Sequence, residues 1–354
     1  MEPQTELLLR ELPAGPLGRV VIINPPGGAL VQRVATHAER VTAFPREWPL
    51  SCTLSGLAVR AAPHLSVSEA VLPDTSLHGT ADLALALVPK GREHARAVLV
   101  AALGCLRDRG TLLVAGPNRG GVHTAQTDAE TLGSAVEHLA SAHAHRVFRV
   151  RRTTTPLPPA DWQSPWLPRP LHVTLAGTDY TVTTQPGIFS WDRLDAGTAF
   201  LIDTLLAQPP GPVGRVLDAG CGCGILGLFA QRQFAPAAVT WCDTDLLAVA
   251  CTRATVGTRH VVPADLTEPP LAALTGFDLI LCNPPFHAGH RKDTGFVDAF
   301  ARQVPAMLAP GGRLVVVANR FLPYQDVLAA HLARVRRLAA DGRFQVLQAV
   351  RRSA

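Results

Sequence analysis

The sequence is poor in lysine, tyrosine and methionine, and it has no long uninterrupted run of apolar residues. Only Lys90 and Lys292 among 33 basic residues are lysines, which is typical of a GC-rich genome. No stretch approaches the roughly 18 apolar residues of a membrane-spanning helix, and the first residues lack the basic start of a secretory signal. Seven cysteines fit free thiols in a reducing compartment. We therefore expect a cytoplasmic protein without a membrane span.

The 354 residues suffice for two folded domains, and a hydrophobic content of 47% excludes a disordered chain. The net charge of +5 is modest, but the basic residues are unevenly placed. Six arginines lie within residues 334–354, where Asp341 is the only acid. This basic segment is compatible with an RNA partner, although most such clusters are solvated surface.

A proline-rich segment, residues 153–170, divides the chain into two halves. It contains six prolines. Because proline lacks a backbone N–H donor and disrupts helices and sheets, the composition predicts an extended linker. The sequence therefore predicts one domain at 1–152 and a second at 171–354.

Both halves alternate apolar, strand-like runs with helical stretches, which is typical of an α/β fold with a parallel sheet covered on both faces. In the second half a hairpin (171–184) and a helix (194–207) precede predicted strands at 215–217, 239–242, 260–262, 277–282 and 313–318. In the first half the predicted strands are 19–23, 81–88 and 111–115, and the predicted helices are 92–106 and 128–142. The sequence of residues 81–85 is similar to that of 277–281, and the sequence of 110–115 is similar to that of 312–317. We interpret these similarities as an internal duplication of one α/β domain.

A glycine-rich loop follows the first predicted strand of the second domain. That strand ends in Asp218, and glycines follow at Gly220, Gly222, Gly224 and Gly227. Glycine lets the backbone approach a ligand closely at the carboxyl end of a strand. The spacing also satisfies a dinucleotide fingerprint, so the loop alone leaves the ligand open. A carboxylate directly before the loop would repel a pyrophosphate, however, and it suits S-adenosylmethionine, which carries ammonium and sulfonium cations.

Three further acids follow later strands. Asp243 is placed to accept hydrogen bonds from ribose hydroxyls, and Asp265 is placed to meet an adenine amino group unless it is a simple cap or loop residue. Asp245 is expected to cap the next helix. Cys221 and Cys223 lie inside the ligand loop without a second pair at zinc spacing, so no metal site is expected.

A second motif follows the fourth predicted strand of the second domain: Asn283-Pro284-Pro285-Phe286. In a doubly wound sheet this strand neighbours the first, so both carboxyl ends face one crevice. An exocyclic amine must become more tetrahedral before it attacks a methyl group, and acceptors aimed at its hydrogens favour that change. The Asn283 side-chain oxygen and the Pro284 carbonyl would supply them, with Pro285 fixing the carbonyl direction. Phe286 offers a face for a planar base.

The first half also contains Asn24-Pro25-Pro26, but that triplet follows its first strand, where the glycine loop would be expected. Its fourth strand is followed by Val88-Pro89-Lys90 instead. The first domain therefore lacks both parts of the site in their proper places, and we predict that it binds no cofactor.

The chain resembles the ribosomal RNA guanine-N2 methyltransferases of the small-subunit methyltransferase C type, with the related large-subunit enzyme as a close cousin. The resemblance covers nearly the whole chain. In the second half it lies in the glycine loop and in four stretches: Pro186–Ser190, Leu194–Thr198, Asn283–His287 and Ala318–Tyr324. In the first half it lies in Val88–Lys90 and Gly116–Gly121. Ala288 departs from the family, which more often has an acid there.

The resemblance implies two tandem class I, Rossmann-like methyltransferase domains, of which the N-terminal one is degenerate and helps recognise RNA. It implies that the second domain binds S-adenosylmethionine and methylates guanine in ribosomal RNA, free or within a subunit. The implied cofactor residues are Asp218, Gly220 and Asp243, with Ser190, Asp195 and Thr198 near the cofactor's entry. The base would be held by Asn283, Pro284 and Phe286, and His287 contacts RNA or shapes the loop.

We expect 16S rRNA to be the substrate and the chain to act as a monomer. The alternatives are a 23S rRNA enzyme and a methyltransferase for protein glutamine or adenine N6. The glutamine enzymes usually have tyrosine where this chain has Phe286, and neither of these two classes accounts for the duplicated first half. An RNA-binding assembly factor without activity conflicts with the intact Asp218 loop, and an NAD-dependent oxidoreductase leaves the Asn283 motif without a role.

Overall fold

A computed structural model of the chain describes residues 2–132, 135–152, 167–285 and 295–352. These residues form two compact units, unit 1 within Met1–Pro168 together with Gln185–Gly187, and unit 2 within Arg169–Thr184 and Ile188–Ala354. Most of the predicted linker, including Trp162 and Trp166, lies outside the described residues. In the described part of the chain, no helix has the length and apolar character needed to cross a membrane.

Unit 1 alternates strands and helices along most of its length. Its elements are α1 (Pro3–Arg10), β1 (Arg19–Ile23), α2 (Gly28–Ala35), β2 (Arg40–Phe44), α3 (Trp48–Ala61), β3 (Leu65–Val67), β4 (Ala81–Leu87), α4 (Arg92–Cys105), β5 (Leu106–Pro117), α5 (Val122–Thr131), β6 (Ala135–Ala142) and β7 (His145–Arg151).

Unit 2 begins with a separate strand pair and then repeats the same alternation. The strand pair and the helix after it are β8 (Arg169–Leu175), β9 (Thr178–Thr184) and α6 (Ala196–Ala207). The alternating series is β10 (Arg215–Ala219), α7 (Ile225–Phe234), β11 (Ala238–Asp243), α8 (Leu246–Val256), β12 (Val261–Pro263), β13 (Phe277–Cys282), α9 (Gly295–Met307), β14 (Leu308–Asn319), α10 (Tyr324–His331), β15 (Ala333–Ala340) and β16 (Phe344–Val350).

Each unit is built on a seven-stranded sheet with one and the same strand order. The order is β3-β2-β1-β4-β5-β7-β6 in unit 1 and β12-β11-β10-β13-β14-β16-β15 in unit 2. Pairing is parallel from β3 to β5 and from β12 to β14, and β7 and β16 each run antiparallel to the strands on both sides of them. The identical order confirms the predicted α/β fold with two tandem Rossmann-like sheets.

Buried strand residues point alternately to two cores, one on each face of the sheet. In unit 2, Leu217 and Ile280 pack in a core with residues of α9 and α10, while Val216 and Leu279 pack with residues of α6 and α7. Strands covered on both faces need apolar residues at successive positions rather than at every second one. This requirement is why β10 and β13 read as continuous apolar runs in the sequence.

The two sheets also keep matching side-chain contacts at the amino ends of their strands. Asp82 in β4 accepts a hydrogen bond from the Arg19 backbone N–H at 2.7 Å, and Asp278 in β13 accepts one from the Arg215 N–H at 2.8 Å. Arg152 donates to the Leu106 carbonyl, and Arg351 donates to the Leu308 carbonyl at 2.6 Å. These contacts align the units residue by residue, with Arg19 equivalent to Arg215 and Asp82 equivalent to Asp278.

One sequence prediction is wrong at the edge of a sheet. The helix predicted at 128–142 is the end of α5 followed by strand β6, which pairs antiparallel with β7. Its alanine, glutamate and leucine residues favour a helix, but pairing along β7 overrides that weak propensity. The basic segment at the carboxyl end includes β15 and β16, and five of its six arginines are exposed, as expected for solvated surface. The Arg352 guanidinium donates to the Ala329 and Ala330 carbonyls at 2.8 and 3.1 Å.

Candidate active site

The glycine loop of unit 2 leaves β10 directly above a buried carboxyl group. Asp218 has no exposed surface, and its Oδ2 accepts a hydrogen bond from the Gly227 N–H at 2.8 Å. Its other oxygen, Oδ1, is buried without a hydrogen-bond partner in the described structure. Burial disfavours the charged form and raises the pKa of Asp218 to about 8. The unpartnered oxygen is therefore available to a cationic or hydrogen-bond-donating ligand.

The glycines of the loop serve two different purposes. Gly220 and Gly222 have φ of +74° and +56°, and a Cβ at either would meet no atom within 4 Å, so they face open space. Gly227 is packed instead, since a Cβ there would lie 2.2 Å from Trp241 Nε1. The Trp241 N–H donates to the Gly224 carbonyl at 3.0 Å. Gly220 and Gly222 leave room for a ligand to approach, while the contacts of Gly224 and Gly227 with Trp241 fix the loop on the sheet.

Asp243 stands beside this loop at the end of β11, the neighbouring strand. It accepts from the Gly222 N–H through Oδ2 and from the Asp245 N–H through Oδ1, each at 2.9 Å. Burial raises its pKa to about 6. Asp245 caps α8, as predicted, by accepting from the Leu247 N–H at 2.9 Å. Each oxygen of Asp243 keeps a second lone pair, so the carboxylate can still bind hydroxyl groups of a ligand.

Asp265 lies after β12 and closes a local turn. Its Oδ1 accepts from the Thr267 N–H at 2.9 Å and from the Thr267 hydroxyl at 2.6 Å. The Ala264 N–H donates to the Asp243 carbonyl at 3.1 Å, which brings this turn next to Asp243. Asp265 therefore has the loop role that the sequence analysis gave as an alternative. It still lies at the same edge of the sheet as Asp243.

Asn283 follows β13, and its amide group is held in one orientation. Its Nδ2 donates to Asp195 Oδ2 at 2.9 Å and to Thr198 Oγ1 at 2.8 Å. Asp195 in turn caps α6 by accepting from the Thr198 N–H at 2.9 Å. Because a carboxylate can only accept, the amide nitrogen must face Asp195, and the amide oxygen must point away. That oxygen, Oδ1, is buried and has no partner in the described structure.

Strand pairing brings these residues together. Ala219 pairs with Cys242 and with Cys282, so the loop, Asp243 and Asn283 leave the sheet at adjacent positions of one edge. Pro284 is buried and Pro285 is exposed. Phe286, His287 and Ala288 lie outside the described residues.

The sequence did not predict that Asp195 and Thr198 hold Asn283. An aspartate three residues before a threonine indicates the start of a helix. It does not indicate that Asp195 will contact Asn283, 88 residues away. Gly197 was also missed. A Cβ there would lie 3.0 Å from Asp195 Oδ2 and 3.6 Å from Asn283 Oδ1, so a side chain would crowd this contact.

Unit 1 has apolar residues at the three equivalent positions. The alignment through Asp82 and Asp278, extended along the strand registers, places Ile22 where unit 2 has Asp218, Pro45 where it has Asp243 and Leu87 where it has Asn283. The side chain of Asn24, in the misplaced Asn-Pro-Pro triplet, donates to the Leu87 carbonyl at 3.3 Å. Unit 1 thus keeps the sheet and lacks the polar groups of the edge.

The fold is that of a methyltransferase. Residues 179–348 match the family model described as "Methyltransferase small domain", and residues 5–166 match "Methyltransferase small domain N-terminal". The chain belongs to the ribosomal RNA small subunit methyltransferase C family, whose methyl donor is S-adenosylmethionine.

Family membership rests on relatives and on one solved structure of similar length. The ribosomal RNA small subunit methyltransferase C of Hahella chejuensis is 32% identical over 341 residues, 94% of each chain. The protein of the same name from Chromohalobacter salexigens is 34% identical over 72% of this chain and 73% of its own. The T. thermophilus 16S rRNA N2 G1207 methyltransferase (RsmC), solved with AdoMet and guanosine, superposes with a TM-score of 0.83 at 26% identity, covering 99% of this chain and 92% of that one.

The packed part of the glycine loop predicts a stability effect. In Gly227→Ala the new Cβ would lie 2.2 Å from Trp241 Nε1, so the loop or the indole must move. We expect the free energy of unfolding to fall by about 1–3 kcal/mol, measured by chemical denaturation of the full chain followed by tryptophan fluorescence. Gly342→Ala is the matched control, because a Cβ there meets no atom within 4 Å. Equal denaturation midpoints for the two variants would contradict the prediction.

Proposed function

We propose that unit 2 transfers a methyl group from S-adenosylmethionine to the exocyclic N2 amine of a guanine in 16S rRNA. The observation that carries the proposal is the buried, unpartnered Oδ1 of Asn283, held in place by Asp195 and Thr198. The similarity to an enzyme whose name specifies 16S rRNA N2 methylation, solved with guanosine, supports the choice of substrate.

The fixed amide oxygen suits the chemistry of an aromatic amine. The lone pair of such an amine is delocalised into the ring, and it becomes a nucleophile only as the nitrogen turns tetrahedral. Asn283 Oδ1 accepts one amine hydrogen and the Pro284 carbonyl accepts the other, which stabilises the tetrahedral form. Because both acceptors are fixed before the substrate binds, little reorganisation accompanies the reaction. Pro285 fixes the carbonyl direction, and Phe286 stacks on the base.

The residues proposed to bind the cofactor lie at the same edge of the sheet as Asn283. The buried Asp218 Oδ1 accepts from the ammonium group, the turn that is open at Gly220 and Gly222 lets the backbone come close, and Asp243 accepts from the ribose hydroxyls. Asp265 binds the adenine amino group, and the Thr198 hydroxyl, which accepts from Asn283, donates its own hydrogen toward the cofactor. S-adenosylmethionine supplies an electrophilic methyl group on a sulfonium centre.

Unit 1 is proposed to recognise RNA and to bind no cofactor. The residues equivalent to Asp218, Asp243 and Asn283 are Ile22, Pro45 and Leu87, none of which has a polar side chain to offer. In the proposed division of the chain, residues 1–152 recognise RNA, 153–170 link the units, and 171–354 perform the transfer. A base presented to unit 2 must be unstacked, and contacts elsewhere on the RNA offset that cost.

The substrate is tested by mass spectrometry of rRNA nucleosides from cells with and without the gene. The proposal expects one N2-methylguanosine of 16S rRNA to disappear in the deletion strain and to return with the wild-type gene. Loss of a 23S nucleoside, of an N6-methyladenine or of a methylglutamine would identify one of the alternative enzymes instead.

The role of Asn283 predicts a rate effect without a binding effect. Asn283→Ala removes the fixed acceptor, so the single-turnover rate of methyl transfer should fall on the order of 10²–10³-fold while cofactor affinity stays nearly unchanged. Asn24→Ala, in the Asn-Pro-Pro triplet of unit 1, is the matched control and should keep the wild-type rate. A normal rate in Asn283→Ala would mean that Asn283 is only a turn residue.

The loss of polar groups in unit 1 predicts one cofactor per chain. Isothermal titration of the full chain with S-adenosylmethionine should give a stoichiometry of one, because only unit 2 has the carboxylates of the edge. Asp243→Ala should abolish this binding without leaving a second, weaker site. Two equivalents bound by the wild-type chain would contradict the assignment of unit 1.

The raised pKa of Asp218 predicts proton release on cofactor binding. A cation near the carboxyl group favours its ionised form, so binding should lower its pKa from about 8 and expel a proton. Asp243, with a pKa of about 6, is already ionised at about pH 7.5. Affinity should therefore rise with pH up to about 8 and then level off. Calorimetry in buffers of different ionisation enthalpy measures the proton, and Asp218→Asn should remove both effects. A wild-type affinity that does not change with pH would argue against the Asp218 contact.

A further inference from the structure

The turn after β14 carries an aromatic side chain that the methyl-transfer site does not use. Phe321 is 71% exposed. Single exposed apolar side chains are common on protein surfaces, so exposure alone has no functional weight. The surroundings of Phe321 distinguish it from the other exposed apolar residues of this chain.

The backbone on both sides of Phe321 is fixed by a buried side chain. Gln345, in β16, is only 2% exposed, and its Nε2 donates to the Arg320 carbonyl at 3.4 Å and to the Leu322 carbonyl at 3.1 Å. The Leu322 N–H donates to the Asn319 carbonyl at 3.0 Å, which closes the turn. The phenyl ring is therefore presented to solvent by a rigid turn rather than by a loose loop.

Two arginines lie beside this turn. The Arg320 guanidinium donates to the Asp341 carbonyl at 2.7 Å, and the Arg343 guanidinium lies over the Phe344 ring, 5.0 Å from its centroid. Arg320 and Arg343 are exposed, and the Arg320 N–H donates to the Arg343 carbonyl at 2.8 Å, which places the two residues side by side. Asp341 also lies in this region, and its carboxylate accepts from the Phe344 and Arg343 N–H groups at 2.6 Å each. These bonds lower the pKa of Asp341, so it stays charged, but two guanidinium groups outnumber it. The turn that carries Phe321 therefore has a net positive charge.

This surface lies next to Asn283. Cys282 pairs with Val316 in the sheet, so the chain after β14 leaves the same edge as the chain after β13, on the order of 10 Å away at about 4.8 Å per strand and 3.3 Å per residue. A Cβ on Gly197 would lie 3.4 Å from Phe344 and 3.6 Å from Asn283 Oδ1. Phe344, which follows Arg343, and the Asn283 amide oxygen thus both border Gly197.

Unit 1 provides an internal comparison, because it has the same turn without the aromatic ring. The Asn118 N–H donates to the Ala144 carbonyl at 2.8 Å, just as that of Arg320 does to Arg343. Along the strand registers, Arg119 occupies the position of Phe321, and Arg146 that of Gln345. Of the two described units, the one that has the Asn283 site also has the fixed phenylalanine.

We propose that Arg320, Phe321 and Arg343 bind the single-stranded RNA beside the target guanine, with a neighbouring base stacked on Phe321 and phosphates held by the arginines. The inference rests on the proposed function and specifies how the unstacked strand is held at that site. An exposed ring on a positively charged turn suits single-stranded nucleic acid, because every base has a face to stack and every linkage carries a negative charge. It also supplies binding that offsets the cost of unstacking the guanine.

The test compares four full-length variants on the form of 16S rRNA, free or assembled, that the wild type methylates. Phe321→Ala should weaken RNA binding about 5- to 100-fold, the range expected for loss of one stacked base. Phe321→Trp should restore it, since the face is kept. Leu271→Ala is the matched control, because Leu271 is an exposed apolar residue of unit 2 that precedes β13. Arg343→Ala should lower the salt slope of RNA binding by about 0.7 for each phosphate that the guanidinium neutralises in the wild type.

Binding of S-adenosylmethionine and of free guanosine separates this surface from the methyl-transfer site, and both should be unchanged in Phe321→Ala. Wild-type RNA affinity in Phe321→Ala, or a loss that tryptophan does not restore, would overturn the proposal. A loss of cofactor affinity in the same variant would also overturn it, because it would indicate a structural role. If the wild type methylates no form of 16S rRNA, the proposed function itself fails, and that result is distinct because it precedes any comparison of variants.

Discussion

The parallel pairing of β10 between β11 and β13 is the constraint on which the candidate site depends. Parallel strands end together, so this pairing gathers Asp218, Asp243 and Asn283 at one edge although 65 residues separate the first from the last. The apolar cores on both faces of the sheet fix the register, because a shift by one residue would turn buried side chains toward the wrong core. The positions of the polar residues at the edge therefore depend on apolar packing in the middle of the sheet.

The two units separate what the fold requires from what the chemistry requires. Contacts at the amino ends of the strands are present in both, as the pairs Asp82 with Asp278 and Arg152 with Arg351 demonstrate. The polar residues at the carboxyl edge are found in unit 2 and are replaced by Ile22, Pro45 and Leu87 in unit 1. A duplicated sheet can lose such residues without harm to its stability, since none of them supports the core.

The sequence predicted the central strands and the ends of the helices beside them, because continuous apolar runs and glycine turns are local signals. It also placed Asp218, Asp243 and Asn283 at the carboxyl ends of strands, which follows from the alternation alone, and their roles in binding and catalysis stay predictions. It was wrong for β6, where pairing at the sheet edge decides the structure and propensity does not. It could not predict that Asp195 holds the Asn283 amide, since that contact depends on how α6 packs against the end of β13.

The unpartnered oxygens of Asp218 and Asn283 connect stability with the proposed reaction. A buried polar atom without a hydrogen bond costs about 1–3 kcal/mol, so the free enzyme is less stable than it would be with apolar residues at these positions. Ile22 and Leu87 are such apolar residues in unit 1. The proposed function accounts for this cost, because an oxygen already satisfied by the protein could not accept from a cofactor or from a guanine amine. The ligands then offset part of it, which means that binding should tighten the same edge of the sheet that the free enzyme leaves incompletely bonded.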